Sequence, residues 1–226
     1  MTFLGFGPQA LPFFEALAFH QTKEWFEENR ETYEIAVMSP MGDFVAEVAV
    51  RLAKAKIPIK GDRKSSLFRI HRDVRFSKNK DPYKTNAGVA MTRSGVKSDP
   101  GVLYFHLSPD GCFFAAGFHN PDPRQLAKLR SAAARAPEPF QQMTAKLTAE
   151  GLSLSDEEAL KRPPRGFETI GDPEILAAVR KKRFICLRPV EEKRIHEPAL
   201  VDDFCAFASH SLPLLKWGWE ALADLR

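Results

Sequence analysis

The sequence predicts an α+β fold with one antiparallel sheet of about four or five strands in the middle of the chain, packed by N-terminal and C-terminal helices. Two observations support this prediction. Apolar residues recur at helical spacing in residues 8–56 and mainly so in residues 122–226, whereas residues 66–118 alternate with a period of two. No linker or internal repeat divides the 226 residues, so we expect a single domain.

The N-terminal part is predicted to hold three helices. The first places Leu11, Phe14 and Leu17 at helical spacing. Thr22 can cap a second helix over residues 23–38, because its hydroxyl accepts from backbone N–H groups of the first turn. A third helix over about 40–56 has an apolar stripe and ends before Pro58.

The middle part is predicted to form strands over 66–76, 87–92, 102–108 and 112–118. The sequence Pro109-Asp110-Gly111 is typical of a turn, so the last two of these strands should form an antiparallel hairpin.

The C-terminal part returns to the helical period. Asp122 and Asp172 each precede a proline, a pattern typical of a capped helix start. A further helix is expected through about Leu147 and one more strand over 184–190. A final pair of helices from residue 198 should be broken at Pro213.

Composition excludes several classes of protein. With 44% apolar residues and 27% charged residues, the chain is neither disordered nor membrane-integrated. No stretch of about 18 apolar residues is present. The three scattered cysteines and the absence of a basic start followed by an apolar run favour a reducing compartment, so we expect a cytoplasmic protein that does not bind membranes.

The formal net charge of +4 conceals an uneven distribution. Residues 60–97 contain eleven basic and three acidic side chains, and residues 161–194 contain ten basic and five acidic ones. The rest of the chain is therefore acidic, and the basic residues are concentrated in two segments.

The first basic segment contains the best candidate for a binding site. If residues 67–76 form a strand, one face carries Phe68, Ile70 and Arg72, and the opposite face carries Arg69, His71, Asp73 and Arg75. Arg72 would then lie among apolar neighbours and need a carboxylate partner, or a bulge that turns it outward. Because guanidinium groups match carboxylate and phosphate oxygens, the opposite face can hold an anion. The alternative is a solvated basic face in which Asp73 pairs with Arg69 or Arg75.

The same segment resembles a known family. The block RIHRDVRFSKNKDPYKTN over residues 69–86 is similar to the hallmark block of the bacterial domain of unknown function 2461 family. Trp25, Phe26, Asn29 and Tyr33 resemble its N-terminal helix, and LKRPPRGF over 160–167 resembles its later basic block. Gly117 and Pro121, followed by Leu126 and Arg130, resemble its glycine turn into a helix. The resemblance implies a single-domain bacterial protein and implies no activity.

Two further groups of residues have both a structural and a functional interpretation. Asn29 and Tyr33 share a helix face with Trp25, and they either pack in the core or line the same pocket as the basic block. The 161–167 segment is a surface loop or folds over the block and contributes Arg162 and Arg165. The sequence has no glycine-rich phosphate loop and no zinc or serine-hydrolase motif, so we expect no metal and no cofactor.

Three hypotheses for function follow. The first is a binding module for a phosphate-bearing small molecule or nucleic acid. The second is an enzyme acting on a small anionic substrate, with Asp73, Tyr83 and His71 as candidate catalytic residues. The third is a structural or partner-binding protein in which Arg72 and Asp73 bond to acidic groups of the N-terminal helices. The candidate ligand-binding residues are Arg69, Arg72, Arg75, Lys78, Lys80, Lys84, Asn29, Tyr33, Arg162 and Arg165.

Overall fold

A computed structural model of the protein describes residues 2–75 and 79–225. Its strands form one antiparallel sheet of order β1-β2-β3-β4, with helices flanking the sheet. The strands are β1 (Ala87–Thr92), β2 (Val102–Leu107), β3 (Cys112–Phe118) and β4 (Phe184–Val190). The predicted α+β class and these four strands are confirmed.

The hairpin between β2 and β3 has the predicted turn. The Gly111 N–H donates to the Ser108 carbonyl at 3.1 Å, and Gly111 has φ of +132°, which favours glycine.

The N-terminal helices are α1 (Ala10–Phe19), α2 (Lys23–Glu28), α3 (Arg30–Tyr33) and α4 (Ser39–Lys54). The Thr22 hydroxyl accepts from the Trp25 N–H at 3.3 Å, which confirms the predicted cap. The predicted single helix over 23–38 is wrong, because it is interrupted at Asn29 and continues through a π-helical turn, Glu34–Met38. At the interruption, the side-chain amide and the backbone N–H of Asn29 both donate to the Trp25 carbonyl, at 2.9 and 3.1 Å.

The C-terminal helices are α5 (Pro123–Arg135), α6 (Pro137–Ala149), α7 (Pro173–Arg180), α8 (Glu192–Ile195) and α9 (Leu200–Ala221). Asp122 and Asp172 cap α5 and α7 as predicted. The predicted break at Pro213 is wrong, since α9 continues through it. Burial of Leu214, Leu215 and Trp217 offsets the roughly 3 kcal/mol that an interior proline costs.

Residues 66–76 do not form the predicted strand. The described part of this segment makes only two isolated antiparallel bridges, Leu67 with Val89 and His71 with Tyr83. Leu67 and His71 are four positions apart in the sequence, whereas their partners Val89 and Tyr83 are six positions apart. The register of the pairing therefore changes by two residues, and no continuous ladder can form. The predicted alternation fails for the same reason: Leu67 and Ile70 are both buried, and Phe68 is 39% exposed.

Contacts divide the chain into two compact units. The first comprises residues 1–99, 103–114 and 189–206, and the second comprises 100–102, 115–188 and 207–226. The first has a phenylalanine core in which the ring of Phe44 packs against those of Phe3, Phe105 and Phe204. In the second, the ring of Trp217 packs against those of Phe140 and Phe184. Among the described residues, no helix combines the length and the hydropathy that a membrane span requires.

Candidate functional site

The change of register beside β1 positions the candidate site. Backbone bonds join Ala90 to Ser66 and Phe68 to Gly88, and beyond the change they join Lys84 to Ile70 and Arg72 to Pro82. The two extra residues on the 83–89 side interrupt the pairing near Lys84. The side chains of Lys84 and Arg72 reach across this interruption to backbone carbonyls of the opposite segment.

Arg72 is half-buried and has no acidic partner. Its Nη2 donates to the carbonyl of Tyr83 at 3.2 Å, and its Nε is fully buried without a hydrogen-bond partner. Within residues 2–75 and 79–225, no carboxylate forms an ion pair with Arg72, so the predicted acidic partner is not found. A buried N–H of a charged group that lacks an acceptor carries a desolvation penalty, and an anion in contact with the guanidinium would reduce it.

Lys84 lies among three other cations. Its Nζ donates to the Arg69 carbonyl at 2.9 Å. Burial lowers the pKa of Lys84, and the charges of Arg69, Arg72 and Lys97 lower it further. A lowered lysine pKa means that the ammonium charge is poorly compensated in the folded protein.

Lys97 lies over the same aromatic ring as Lys84, that of Phe68. The Nζ atoms of Lys97 and Lys84 lie 5.0 and 5.7 Å from the centre of the Phe68 ring. The Lys97 Nζ also donates to the Leu67 carbonyl at 2.6 Å. We call Arg69, Arg72, Lys84 and Lys97 the cationic cluster. No member forms an ion pair with any carboxylate of the described chain.

Sequence reasoning identified Arg69, Arg72 and Lys84 but missed Lys97 and Phe68. Lys97 belongs to the same basic segment, and the turn at Ser94 and Gly95 brings it back beside Leu67. That turn was the only sequence signal for its position. Phe68 was missed because strict alternation would have buried it.

Arg75, Asp73 and Lys80 lie outside the cationic cluster. The guanidinium of Arg75 makes a two-pronged ion pair with Asp73, at 2.9 and 2.7 Å, and both side chains are exposed. This contact lowers the pKa of the Asp73 carboxyl group. The Lys80 Nζ donates to the Val74 carbonyl at 2.9 Å. Asp73 therefore pairs with Arg75 as in the solvated-face interpretation.

The aromatic candidates pack on helix α2. The Tyr83 ring is 3% exposed and stacks on Phe26 with centroids 4.6 Å apart. Burial raises the pKa of the Tyr83 hydroxyl, which stays protonated near neutral pH. His71 is exposed, and its ring centre lies 5.2 Å from that of Tyr83.

Asn29 and Tyr33 occupy the core-packing arrangement. The ring of Tyr33 lies against Phe13 and Phe26, and the Asn29 amide bonds to the helix backbone. Arg162 and Arg165 belong to the second unit, and their part in a site stays a prediction. Lys78 lies outside the described residues.

A second group of polar side chains consists of Tyr104 and His106 on β2 and Asn86, which directly precedes β1. The Nδ1 atom of His106 is 3.0 Å from the Tyr104 hydroxyl and 3.4 Å from the Asn86 amide nitrogen. The His106 ring stacks on Phe113 with centroids 4.6 Å apart. Burial lowers the pKa of His106, with a smaller opposite effect of Asp110, so the imidazole is neutral near pH 7. In the described ranges, no three His, Cys, Asp or Glu side chains are grouped closely enough to hold a metal ion.

The fold and the site together define an α+β protein with an uncompensated cationic cluster beside an edge strand of its sheet. Residues 9–217 match the family described as a conserved hypothetical protein, DUF2461, and the chain belongs to that family. No curated protein and no solved structure matches the chain.

Proposed function

We propose that this protein binds a phosphate-bearing ligand through the cationic cluster. The observation that supports the proposal is the buried Nε of Arg72, which has no hydrogen-bond partner in the described chain, within four cations that form no ion pair with a carboxylate of the described chain. Phosphate oxygens accept several charge-assisted hydrogen bonds at once, and both guanidinium and ammonium groups bind them.

The arrangement supports binding more strongly than acid–base catalysis. Asp73, the candidate base, is exposed and engaged by Arg75, and its lowered pKa makes it a weak proton acceptor near neutral pH. By contrast, Arg72, Lys84 and Lys97 each donate one hydrogen bond to a backbone carbonyl and have further N–H groups for a ligand.

Lys84 and Lys80 offer a matched pair for testing the proposal. Each Nζ donates to one backbone carbonyl at 2.9 Å, but only Lys84 lies in the cationic cluster. The experiment is isothermal titration of pyrophosphate, inorganic phosphate and a single-stranded oligonucleotide into the wild type, Lys84→Met and Lys80→Met proteins.

We expect Lys84→Met to weaken binding by about tenfold or more, since a hydrogen bond to a charged group contributes about 1.5–3 kcal/mol. Lys80→Met should change the affinity by less than about twofold. Affinity should fall steeply with salt, because binding neutralises phosphate charge. The proposal is wrong if none of the three ligands binds the wild type at low salt, or if both variants lose affinity equally.

A further inference from the structure

Four aromatic rings form a connected group beside the cationic cluster. The ring of Phe68 lies 6.2 Å from that of Tyr104, and Phe113 lies 6.1 Å from Tyr104 and 4.6 Å from His106, measured between centroids. We call Phe68, Tyr104, His106 and Phe113 the aromatic face. These residues all belong to the first unit.

The aromatic face remains partly open to solvent. Residues of β2 alternate between half-buried and buried, so Tyr104 and His106 share the half-buried side, and Phe105 and Leu107 point into the core. Phe113 is also half-buried, and Phe68 is more than one-third exposed. The rings therefore present apolar surface that the described chain does not fully cover.

The hydrogen bonds of His106 determine its tautomer. In the orientation that the structure gives the Asn86 amide, its nitrogen donates to Nδ1 of His106, which assigns the ring proton to Nε2. Within residues 2–75 and 79–225, neither this Nε2–H nor the Oδ1 of Asn86 has a hydrogen-bond partner, and neither is among the fully buried, unpaired atoms. A donor and an acceptor are therefore available to a ligand at this face.

Phe68 lies between the aromatic face and the cationic cluster and contacts both. Its ring contacts Tyr104 of the aromatic face, and the ammonium groups of Lys84 and Lys97 lie over it. A ligand whose phosphate binds the cationic cluster therefore has aromatic rings, one donor and one acceptor within reach of the group attached to that phosphate.

We infer that this group is a nucleobase, so that the ligand is a nucleotide unit, either free or within a single strand. The inference rests on the proposed function. Aromatic side chains stack on bases of any sequence, and asparagine and histidine can bond to a base edge. The charge of the adjacent cluster matches the phosphate that every nucleotide unit carries.

The test compares a ligand that has both a base and a phosphate with ligands that have only one of the two. Adenosine 5′-monophosphate, ribose 5-phosphate and adenosine are titrated into the wild-type protein at low salt, together with a single-stranded oligoadenylate. The nucleotide should bind at least about tenfold more tightly than ribose 5-phosphate, because stacking of one base contributes roughly that factor. If the oligoadenylate binds more tightly per site than adenosine 5′-monophosphate, the ligand is a single strand. If the two bind equally, the ligand is the free nucleotide.

Two variants locate the base contact. His106→Leu should remove most of the preference for the nucleotide over ribose 5-phosphate, and leave the affinity for ribose 5-phosphate within about threefold. His119→Leu makes the same change at an exposed histidine outside the aromatic face and should preserve the preference. Unfolding curves of both variants check that they are folded.

The wild-type comparison needs no variant and separates the two proposals. Equal binding of the nucleotide and ribose 5-phosphate overturns the nucleobase inference and leaves phosphate binding in place. Failure of both to bind overturns the nucleobase inference, and it overturns phosphate binding as well only when pyrophosphate, inorganic phosphate and the oligonucleotide also fail to bind. A preference that survives in His106→Leu overturns the assignment of the base to the aromatic face.

Discussion

The Nη2 atom of Arg72 lies 3.2 Å from the carbonyl oxygen of Tyr83, and among the described residues this is the one hydrogen bond of a guanidinium whose Nε is buried. A carbonyl oxygen is a weaker partner for this charge than a carboxylate would be. The charge of Arg72 is therefore only partly compensated in the folded protein.

Replacing Arg72 should remove ligand affinity without destabilising the ligand-free protein. We expect Arg72→Leu to keep the free energy of unfolding within about 1 kcal/mol of the wild-type value or to raise it, because the lost hydrogen bond is offset by relief of an unpaired buried N–H. Urea denaturation at pH 7 measures this difference.

Arg130 offers a control for that measurement. It is also half-buried, but its Nε and Nη2 both donate to the Lys181 carbonyl, at 3.1 and 2.7 Å. Arg130→Leu should therefore destabilise the protein by about 1–3 kcal/mol. A loss of about 3–5 kcal/mol in Arg72→Leu would instead indicate a broken buried ion pair and support the structural hypothesis.

Lys84 should make the free energy of unfolding depend on pH in the alkaline range. Its pKa is lowered in the folded protein from the ordinary 10.5, so the unfolded chain binds more protons between the two values. Relative to Lys84→Met, the wild type should gain stability as the pH rises through the folded pKa towards 10.5. Urea denaturation of both proteins from pH 7 to 10.5 measures this gain.

Bound pyrophosphate should oppose the gain in stability that Lys84 gives as the pH rises. A bound anion favours the charged ammonium, so binding should be accompanied by proton uptake within the same pH range. Titrations in two buffers of different ionisation enthalpy detect that uptake. Absence of both effects would show that Lys84 is not a poorly compensated cation.

Asp73→Asn should leave pyrophosphate affinity within about twofold of wild type. Asp73 is exposed, pairs with Arg75 and contacts no member of the cationic cluster through a hydrogen bond or ion pair. Isothermal titration tests this directly. A tenfold or larger loss would place Asp73 in the binding site and revive the hypothesis that it acts on a substrate.

Gly117→Ala should destabilise the protein strongly. Gly117 has φ of +124°, and a Cβ there would collide with the backbone carbonyl oxygen of Phe184 on β4. Gly111 has a similar φ of +132°, but nothing lies within 4 Å of its Cβ position. Gly111→Ala therefore measures the backbone strain alone, about 1–3 kcal/mol.

The difference between the two glycine variants measures the steric collision. We expect Gly117→Ala to lose at least about 2 kcal/mol more than Gly111→Ala in urea denaturation, because neither backbone can shift without breaking ladder bonds. Equal losses would show that β3 and β4 approach less closely than the structure has them.

Local signals explain most of the fold that could be predicted. Asp122 and Asp172 cap their helices, and the turn after β2 carries glycine at its positive φ, because these features depend on residues close in sequence. The continuous α9 was missed because the proline rule is local, whereas the burial that overrides it involves distant residues.

The site was predicted in part for the same reason. The density of basic residues identified Arg69, Arg72 and Lys84, since the charge of a segment is visible in its sequence. Charge alone could not separate these from Arg75, whose guanidinium is engaged by Asp73. The position of Lys97 depends on the turn at Ser94 and Gly95 and on the pairing of residues 66–68 with β1, and composition and periodicity do not encode that pairing.

The irregular pairing beside β1 has a consequence for self-association. The outward backbone groups of β1 are bonded to Lys60, Ser66 and Phe68, which do not themselves form a continuous strand. A regular outer strand would offer unpaired N–H and C=O groups to another copy of the chain, and lysines and interruptions at such an edge oppose that addition. The same interruption that groups the cations thus protects this side of the sheet from aggregation.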